Sequence, residues 1–579
     1  MGKKTEYYEE VSNFRELVKR YEKFGDNIAF KYKKEGEIKE ISYSQFVSDI
    51  KKAAEKVLAS DARRVAVIGN NRYEWVVTYL GVVTAGSIIV PLDKALTDKE
   101  IEKLLKRSEV DTVVYDEKYE NAVNEAISQG CNINHKICMD NIDKAGVLKF
   151  EKMLQDGEDI IKAGKAKYDD VKLKENEMYI MLFTSGTTSE PKAVMLSQEN
   201  ICKNVSAYQY NFMMTPEDTL LSFLPIHHTF ECSITIIYGT YCGATIAFCE
   251  GLRYIADNLK EFKVTIFVAV PLVLETMAKK IQKAISDSGK KGLIDKMTKL
   301  SHGLLKCKID VRKKLFKPVL KQFDEYLRVV LYGAAPMDKA TIEWYNDLGI
   351  ELIQGYGLTE SSPVLTAEAS DRKRAGSIGI PLKNVEIKID HPDKDGVGEI
   401  LGKGPNIMLG YYENEAATKK ALEDGWLHTG DYGYIDSDGY IFVTGRKSDI
   451  IVLRNGKNIY PQELEFLINK LPYVDESLVY SRDKSKTDTL LCAKIVYNED
   501  NIKEHFGDKT LDEYKELIWQ DIKEINKDLP TYKHIKEIII TNEPMEKTTT
   551  QKVKRYVEIK KLENVWNKGT DILNLNRNI

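Results

Sequence analysis

Apolar residues recur at helical spacing from Phe46 to Leu58 (FVSDIKKAAEKVL) and again from Tyr73 to Ala85. Between them, Arg64 to Ile68 (RVAVI) is a short apolar run ended by Gly69-Asn70-Asn71, the pattern of a strand entering a turn. Ser87 to Val90, Val110 to Tyr115 and Thr265 to Val270 repeat that pattern. Strands separated by helices predict an α/β fold with mostly parallel sheets. The most apolar stretch, Ile234 to Cys249 (ITIIYGTYCGATIAFC), is broken by glycine, threonine and tyrosine. It is shorter than the ~20 residues of a membrane span and reads as buried helix and strand.

From about Gly445 the texture changes. A helix follows the glycine-bearing stretch Gly445 to Gly456, then strands at Glu476 to Tyr480 and Leu490 to Val496, a helix at Leu511 to Asp528 and a strand at Lys536 to Thr541. The expected organisation is a large N-terminal body of several subdomains over residues 1–445 and a small α+β C-terminal domain over 446–579.

Charge changes the picture in one place. The whole chain of 579 residues carries a formal −4, which makes a nucleic-acid partner unexpected. Between Lys279 and Lys321, however, fourteen Lys/Arg face only Asp287, Asp295 and Asp310, and Leu293, Ile294, Met297, Leu300, Leu304 and Leu305 recur at helical spacing. A basic amphipathic helix suits peripheral contact with an anionic membrane surface; a solvated helical pair docked on its own domain is the plainer reading. The eight cysteines form no C-x-x-C pair and fit a reducing compartment. The N-terminus MGKKTEYYEE lacks the apolar run of a signal peptide, so the expected location is cytoplasmic, with the inner membrane face open through residues 279–321.

The strongest chemical signal is Thr184 to Val194 (TSGTTSEPKAV), preceded by the apolar run Tyr179 to Phe183. Thr184, Ser185, Thr187 and Thr188 surround Gly186, and Lys192 lies eight positions after Thr184. Small hydroxyl residues with free backbone N–H groups suit a phosphate-wrapping turn, and a lysine adds charge against phosphate oxygens. No Gly-Lys-Ser/Thr opens a helix, so this is not a Walker loop. Gln354 to Glu360 (QGYGLTE) adds Gly355 and Gly357 for close backbone approach, Tyr356 as a stacking face, and Thr359 and Glu360 as oxygen ligands for phosphate and magnesium. Val329 to Pro336 (VVLYGAAP) reads as a strand ending in a tight turn at Gly333, Ala334 and Ala335. Asp431 in GWLHTGD suits a pair of ribose hydroxyls, with Arg446 beside it.

In this order, these motifs make the chain resemble the adenylate-forming acyl-CoA synthetases, over roughly Tyr43 to Arg555. LPIHHTFE (Leu224 to Glu231), GSIGIP (Gly376 to Pro381) and DGWLHTGD (Asp424 to Asp431) look most like the long-chain fatty acid–CoA ligases. The resemblance implies that a fatty acid attacks ATP to give acyl-AMP, and that coenzyme A then displaces AMP. It implies that Thr184 to Thr188 and Lys192 hold the β- and γ-phosphates. Gly333, Ala334, Ala335 and Tyr356, with Gln354, Gly355 and Gly357, would border the adenine. Thr359 would contact the α-phosphate, Glu360 would bind Mg²⁺, Asp431 and Arg446 would hold the ribose, and His228 would lie beside the acyl carboxylate. Lys552, in EKTTTQKVKR, stands where the family has its adenylation lysine, with Lys547 and Lys554 as nearby alternatives. The C-terminal domain would rotate about Ser448, alternately presenting Lys552 and the Asn455-Gly456 turn.

The chain departs from the family pattern at Ser189 and Ala193, where glycine is usual, at Gln198 for histidine, at Ser448 for Asp or Lys, and at Gln551 for glycine. If the first two sites need positive φ, a side chain there costs ~1 kcal/mol or more. Two other readings remain open: an acyl-AMP ligase serving a separate acyl carrier protein, or acting on a medium-chain or aryl acid; and a nucleotide-binding regulatory protein that has lost turnover.

Overall fold

The computed structural model describes residues 7–184, 191–321, 325–453, 457–485, 488–547 and 553–566. The helix Tyr43–Ala59 begins where the Ser42 hydroxyl accepts the Gln45 N–H, and it buries Phe46, Ile50, Ala53, Ala54 and Val57. The helix Tyr73–Thr84 is buried on nearly every side, as its apolar sequence requires. Between them Arg64–Ile68 forms a strand parallel to Ile88–Leu92 and to Thr112–Tyr115.

Among the described residues, eight strands form one sheet in the order Gly410–Tyr411, Lys192–Leu196, Ile180–Thr184, Ile88–Leu92, Arg64–Ile68, Thr112–Tyr115, His135–Cys138, Leu148–Lys149. It is parallel from Ile180–Thr184 onward. A nine-stranded sheet runs Ile380–Pro381, Val364–Ala367, Glu351–Gly357, Val329–Tyr332, Ile266–Ala269, Thr219–Ser222, Thr245–Phe248, Ile28–Lys34, Glu37–Ser42. Its pairs from Glu351–Gly357 to Ile28–Lys34 are parallel, and Val364–Ala367, Ile380–Pro381 and Glu37–Ser42 are added antiparallel at its two ends. One apolar core joins the two sheets: Val65 and Val67 of the first meet Ile246 and Val268 of the second through Phe14, Phe46, Trp75 and Ile201 of the helices between. Burying these side chains is the main favourable term in holding the sheets together.

Residues 386–446 differ from the mostly parallel expectation. They form an antiparallel sheet of Glu386–Asp390, Gly398–Lys403, Trp426–Ile435, Leu422–Glu423 and Ile441–Arg446. Trp426–Ile435 alternates buried and half-exposed positions, and its sequence WLHTGDYGYI interleaves glycine, threonine and aspartate, so it shows no continuous apolar run. Beyond it, Val474–Ser485, Asp488–Tyr497 and Glu537–Thr541 make a three-stranded sheet. The helices Pro461–Ile468 and Leu511–Lys527 cover it through Leu464, Ile468, Ile518 and Ile522. No helix among the described residues is long and apolar enough to cross a membrane.

Two departures from the family pattern have local explanations. Ala193 is a fully buried residue of the strand Lys192–Leu196, paired with Phe183, and is not among the positive-φ residues, so its side chain adds no backbone strain. Gln198 is buried and does structural work: its amide donates to Val83 O and accepts the Phe14 N–H, tying three helices. Ser189 lies outside the described residues.

Glycine contacts test this packing. A Cβ on Gly157 would stand 2.0 Å from Lys52 O, where the helices Phe150–Lys162 and Tyr43–Ala59 touch, whereas a Cβ on Gly303 would meet nothing within 4 Å. Gly157→Ala should therefore lower the melting temperature by several degrees. Gly303→Ala, in the interior of an exposed helix, should raise stability by roughly 0.5–1 kcal/mol. Calorimetry on both variants checks this; a Gly157→Ala protein as stable as wild type would contradict the close helix contact.

Candidate active site

The strands Ile180–Thr184 and Lys192–Leu196 are antiparallel, with Thr184 opposite Lys192, so both residues stand at the end of the strand pair where the chain passes from one strand to the next. Ser185, Gly186, Thr187 and Thr188, which the sequence reading places in the phosphate loop, lie outside the described residues. Gly410–Tyr411 pairs with the other edge of Lys192–Leu196. The Lys192 ammonium sits 4.7 Å from the centre of the Tyr411 ring, and the Tyr411 hydroxyl donates to Glu360 Oε1 at 2.8 Å. Burial and the Glu360 carboxylate push the Tyr411 phenol up, so it keeps its proton and serves as a donor. Lys192 and Glu360, 168 positions apart in sequence, thus flank one aromatic ring. Among the described residues Glu360 Oε2 accepts no hydrogen bond, which leaves a hard oxygen donor of the kind Mg²⁺ takes. Thr359 opens the 3₁₀ turn Thr359–Ser361 that carries Glu360, and the Met408 N–H fixes the Glu360 carbonyl at 2.9 Å.

Gly333, Ala334 and Ala335 follow the strand Val329–Tyr332; Gly333 is buried, while Ala334 and Ala335 are exposed. A Cβ on Gly333 would lie 2.7 Å from Gly355 O and 3.5 Å from the Phe230 ring, so glycine lets the Glu351–Gly357 strand approach. Ala334 adopts φ +72°, a left-handed conformation that costs an alanine on the order of 1 kcal/mol. A Cβ on Gly355 would make only ordinary contacts, 3.9 Å from Thr366 O and 4.0 Å from Val364 Cγ1. Gly357 differs: a Cβ there would be 1.8 Å from Pro363 O, so that glycine is demanded by the protein's own backbone. Gln354 accepts from the Tyr332 hydroxyl at 3.1 Å. Behind the slot lies a cavity of about 50 Å³ lined by Phe212, Phe230, Ile234, Tyr238 and Val364, reaching Gln354 and Gly355.

Asp431 is 4% exposed. Its carboxylate accepts from the Tyr356 hydroxyl at 2.7 Å and from Arg446 Nε at 2.8 Å. Burial and the adjacent Asp431 push the Tyr356 phenol far up. Tyr356 belongs to the nine-stranded sheet, while Asp431 and Arg446 face each other across the antiparallel sheet. The next residue, Lys447, donates to Glu399 Oε2 at 2.7 Å, and His428 lies 3.2 Å from the same oxygen. Burial works to raise Glu399, but these two partners hold it below the ordinary carboxylate value.

His228 lies in the segment between the strand Thr219–Ser222 and the π-helix Glu231–Tyr238, and its N–H donates to Pro225 O. The adjacent His227 lies 3.7 Å from Asp93, and burial pulls its imidazole down. The segment is braced by Glu231, which is fully buried: Ser222 donates to Oε1 at 2.6 Å and Thr235 to Oε2 at 2.9 Å, while Asn71 donates to Ser222 and to Leu224 O. Burial raises the Glu231 carboxyl to about 8.

Tyr411, Glu399 and Lys447 were given no role from sequence, and Glu231 was quoted only inside a motif. Tyr411 stands in the unremarkable run LGYY, and only strand pairing reveals it. Lys552 and Gly456 lie outside the described residues. The segment leading to Lys552 and the residues after it are anchored: Lys547 pairs with Glu476, Lys547 and Val553 form a bridge, and Arg555 donates to Glu465 and to Val479 O.

Comparison with known proteins gives concordant results. The family profile described as AMP-binding enzyme matches residues 17–412, and the AMP-binding enzyme C-terminal domain matches 448–568. Long chain acyl-CoA synthetase 4 of Arabidopsis thaliana is 29% identical over 454 residues, 72% of this chain and 67% of that protein. Long-chain-fatty-acid–CoA ligase 5 of Mus musculus is 27% identical over 525 residues, 84% and 76% of the two chains. Among solved structures, the anthranilate CoA ligase AuaEII with anthranoyl-AMP aligns with TM-score 0.75 at 19% identity, covering 97% of this chain and 98% of that one. O-succinylbenzoate coenzyme A synthetase (MenE) of Bacillus subtilis with ATP and magnesium aligns with TM-score 0.70 at 21% identity, covering 95% and 99%.

Glu231 gives a pH test. Unfolded, its carboxyl ionises near 4.5; folded, it keeps its proton until about 8. The folded state therefore binds the extra proton between those values, and stability falls as pH rises through that window. Glu231→Gln removes the titration. The variant should gain melting temperature relative to wild type as pH is raised from 5 to 8, measured by thermal denaturation; a difference that does not change with pH would contradict a protonated buried Glu231.

Proposed function

Because the chain belongs to the AMP-binding enzyme family, matched over residues 17–412 and 448–568, we propose that it is an AMP-forming acyl-CoA ligase whose acid is a long-chain fatty acid. A carboxylate oxygen of the acid attacks the α-phosphorus of ATP and pyrophosphate leaves. The thiol of coenzyme A then attacks the acyl carbon, AMP leaves with the carboxylate oxygen, and the thiol proton passes to solvent.

The observation that carries this reading is the convergence of Lys192 and Glu360 on Tyr411. Lys192 and Thr184, with the loop between them, would hold the β- and γ-phosphates. Mg²⁺, when bound with ATP, offsets phosphate charge, and Glu360 Oε2 is the donor that suits it. Thr359 would meet the α-phosphate. Tyr356 would border the adenine with Gly333 to Ala335, and the remaining lone pairs of Asp431 would accept the ribose hydroxyls beside Arg446. His228 would face the acyl carboxylate. Lys552 would stabilise the charge that grows on the reacting oxygens.

The long-chain assignment draws on the names of the curated relatives. The domain boundary near 445 and a hinge at Ser448 fit the local contacts. Lys447 is held by Glu399 on one side of Ser448, while Asp449 is held by Gln462 and Arg555 on the other; Ser448 itself is exposed. Rotation at a residue fastened before and after moves one body against the other without disturbing either core. Gly456 would come to the pantetheine route after that rotation.

The test is product formation from ATP, Mg²⁺ and a panel of acids, with and without coenzyme A. Long-chain acids should give pyrophosphate and, with coenzyme A, acyl-CoA. Preference for short or aromatic acids would overturn the chain-length assignment, and pyrophosphate without acyl-CoA would point to a carrier-protein acceptor. Lys552→Ala should lower adenylation by at least a hundredfold while sparing acyl-CoA formation from preformed acyl-AMP, read in separate half-reaction assays. Equal loss in both would contradict the assignment of Lys552 to the first step.

A further inference from the structure

The segment from Lys279 to Lys321 takes no part in the site described above. It contains the end of the helix Pro271–Asp287, the helix Lys291–Lys306 and the short helices Arg312–Leu315 and Lys317–Leu320. The plainer of its two readings requires its apolar side to be docked on the domain, and that holds for only part of it. Ile294 and Met297 pack on the core beneath the nine-stranded sheet, with Ser301 buried between helix and body. Leu293 and Leu300 do not: they are 57% and 56% exposed, and Ile309, just past the helix, is 51% exposed.

Leu293 and Leu300 are seven residues apart, so they lie on one line of the helix, with Lys296 on the same side. Lys299 and Lys306 lie further round the same exposed side, Lys291 opens the helix and Lys290 precedes it. All of these lysines are exposed, and among the described residues none has a carboxylate partner within ion-pair distance. Elsewhere in the segment, pairing is sparse: Lys283 with Glu504, Lys317 with Glu325, and Arg312 with Asp310. The outer face is thus a ridge of leucine set among unpaired ammonium groups.

We propose that this face docks the protein on an anionic lipid bilayer, with Leu293 and Leu300 entering the headgroup layer and Lys290, Lys291, Lys296, Lys299 and Lys306 meeting lipid phosphates. Charge complementarity selects the occupant. A second copy of this chain would bring the same positive face and repel it, and a neutral apolar partner would leave the lysines unanswered. A bilayer of acidic lipid answers both parts, since apolar burial and attraction to the negative surface act together at an amphipathic basic helix. The docking does not depend on which acid the site activates. It goes beyond the catalytic reading, and either can fail without the other.

Vesicle co-sedimentation tests it with the full chain. Vesicles of phosphatidylcholine mixed with phosphatidylglycerol should pellet the protein, pure phosphatidylcholine vesicles should not, and binding should weaken as salt is raised. Lys296→Gln/Lys299→Gln/Lys306→Gln should weaken binding by about fivefold per lysine removed. Leu293→Ser/Leu300→Ser, exposed positions whose change leaves the core untouched, should weaken it separately, and the melting temperature should show that both variants are folded. Ligase activity on a water-soluble acid in the absence of vesicles should be unchanged in both. No binding by wild type, equal binding to neutral vesicles, or undiminished binding by both variants would overturn the proposal. So would a concentration-dependent dimer that the leucine variant abolishes, without vesicle binding.

Discussion

A buried carboxylate must be answered by donors or it will not stay charged, and Asp431 is the carboxylate on which this molecule turns. It lies in the antiparallel sheet, and partners reach it from different places. Tyr356 reaches it from the last parallel strand of the nine-stranded sheet, and Arg446 from the end of the strand that leads to Ser448. One carboxyl group therefore ties the glycine-flanked tyrosine, the third sheet and the approach to the C-terminal domain into a single arrangement. Removing it would leave the Arg446 charge and the Tyr356 hydroxyl to find new partners at once.

The same economy recurs around Tyr411. Its ring takes the Lys192 ammonium and its hydroxyl takes Glu360, so an edge strand of two residues holds a cation and a carboxylate on either side of one side chain. The phenol remains protonated because it is buried beside a carboxylate. Lys192 and Glu360 can then keep opposite charges close by without collapsing into an ion pair, which leaves each available to a charged ligand. Glu231 contributes differently. As a buried acid raised to about 8, it braces the histidine-bearing segment through hydroxyl groups on either side of it.

Much of this was legible in the sequence where one residue type answers to one demand. The apolar runs at Arg64 to Ile68 and Val329 to Tyr332 became strands because both faces of their sheets are covered. Thr184 and Lys192 could be set together from the sequence because only eight positions separate them in a hydroxyl-rich turn, whereas Gly333 and Gly355 were tied to a nucleotide site only with the help of the family resemblance. The antiparallel sheet of residues 386–446 escaped notice because its longest strand, Trp426–Ile435, alternates buried and half-exposed positions, and the apolar signal is diluted by glycine and aspartate. Tyr411 escaped because its role comes from pairing with a strand more than two hundred residues earlier. Gly357 was read as making room for ligand, whereas Pro363 O occupies that room. The exposure of Leu293 and Leu300 was likewise hidden, since helical spacing does not say which apolar residues find a partner.

In the proposed reaction the groups gathered around Tyr411 and Asp431 let a carboxylic acid react with ATP before coenzyme A is involved. Acid-dependent exchange of labelled pyrophosphate into ATP, measured without coenzyme A, addresses it most directly. Label should enter ATP when a long-chain acid is present and not otherwise, and Asp431→Asn should suppress the exchange. Absence of exchange with every acid, or exchange that proceeds without any acid, would contradict it.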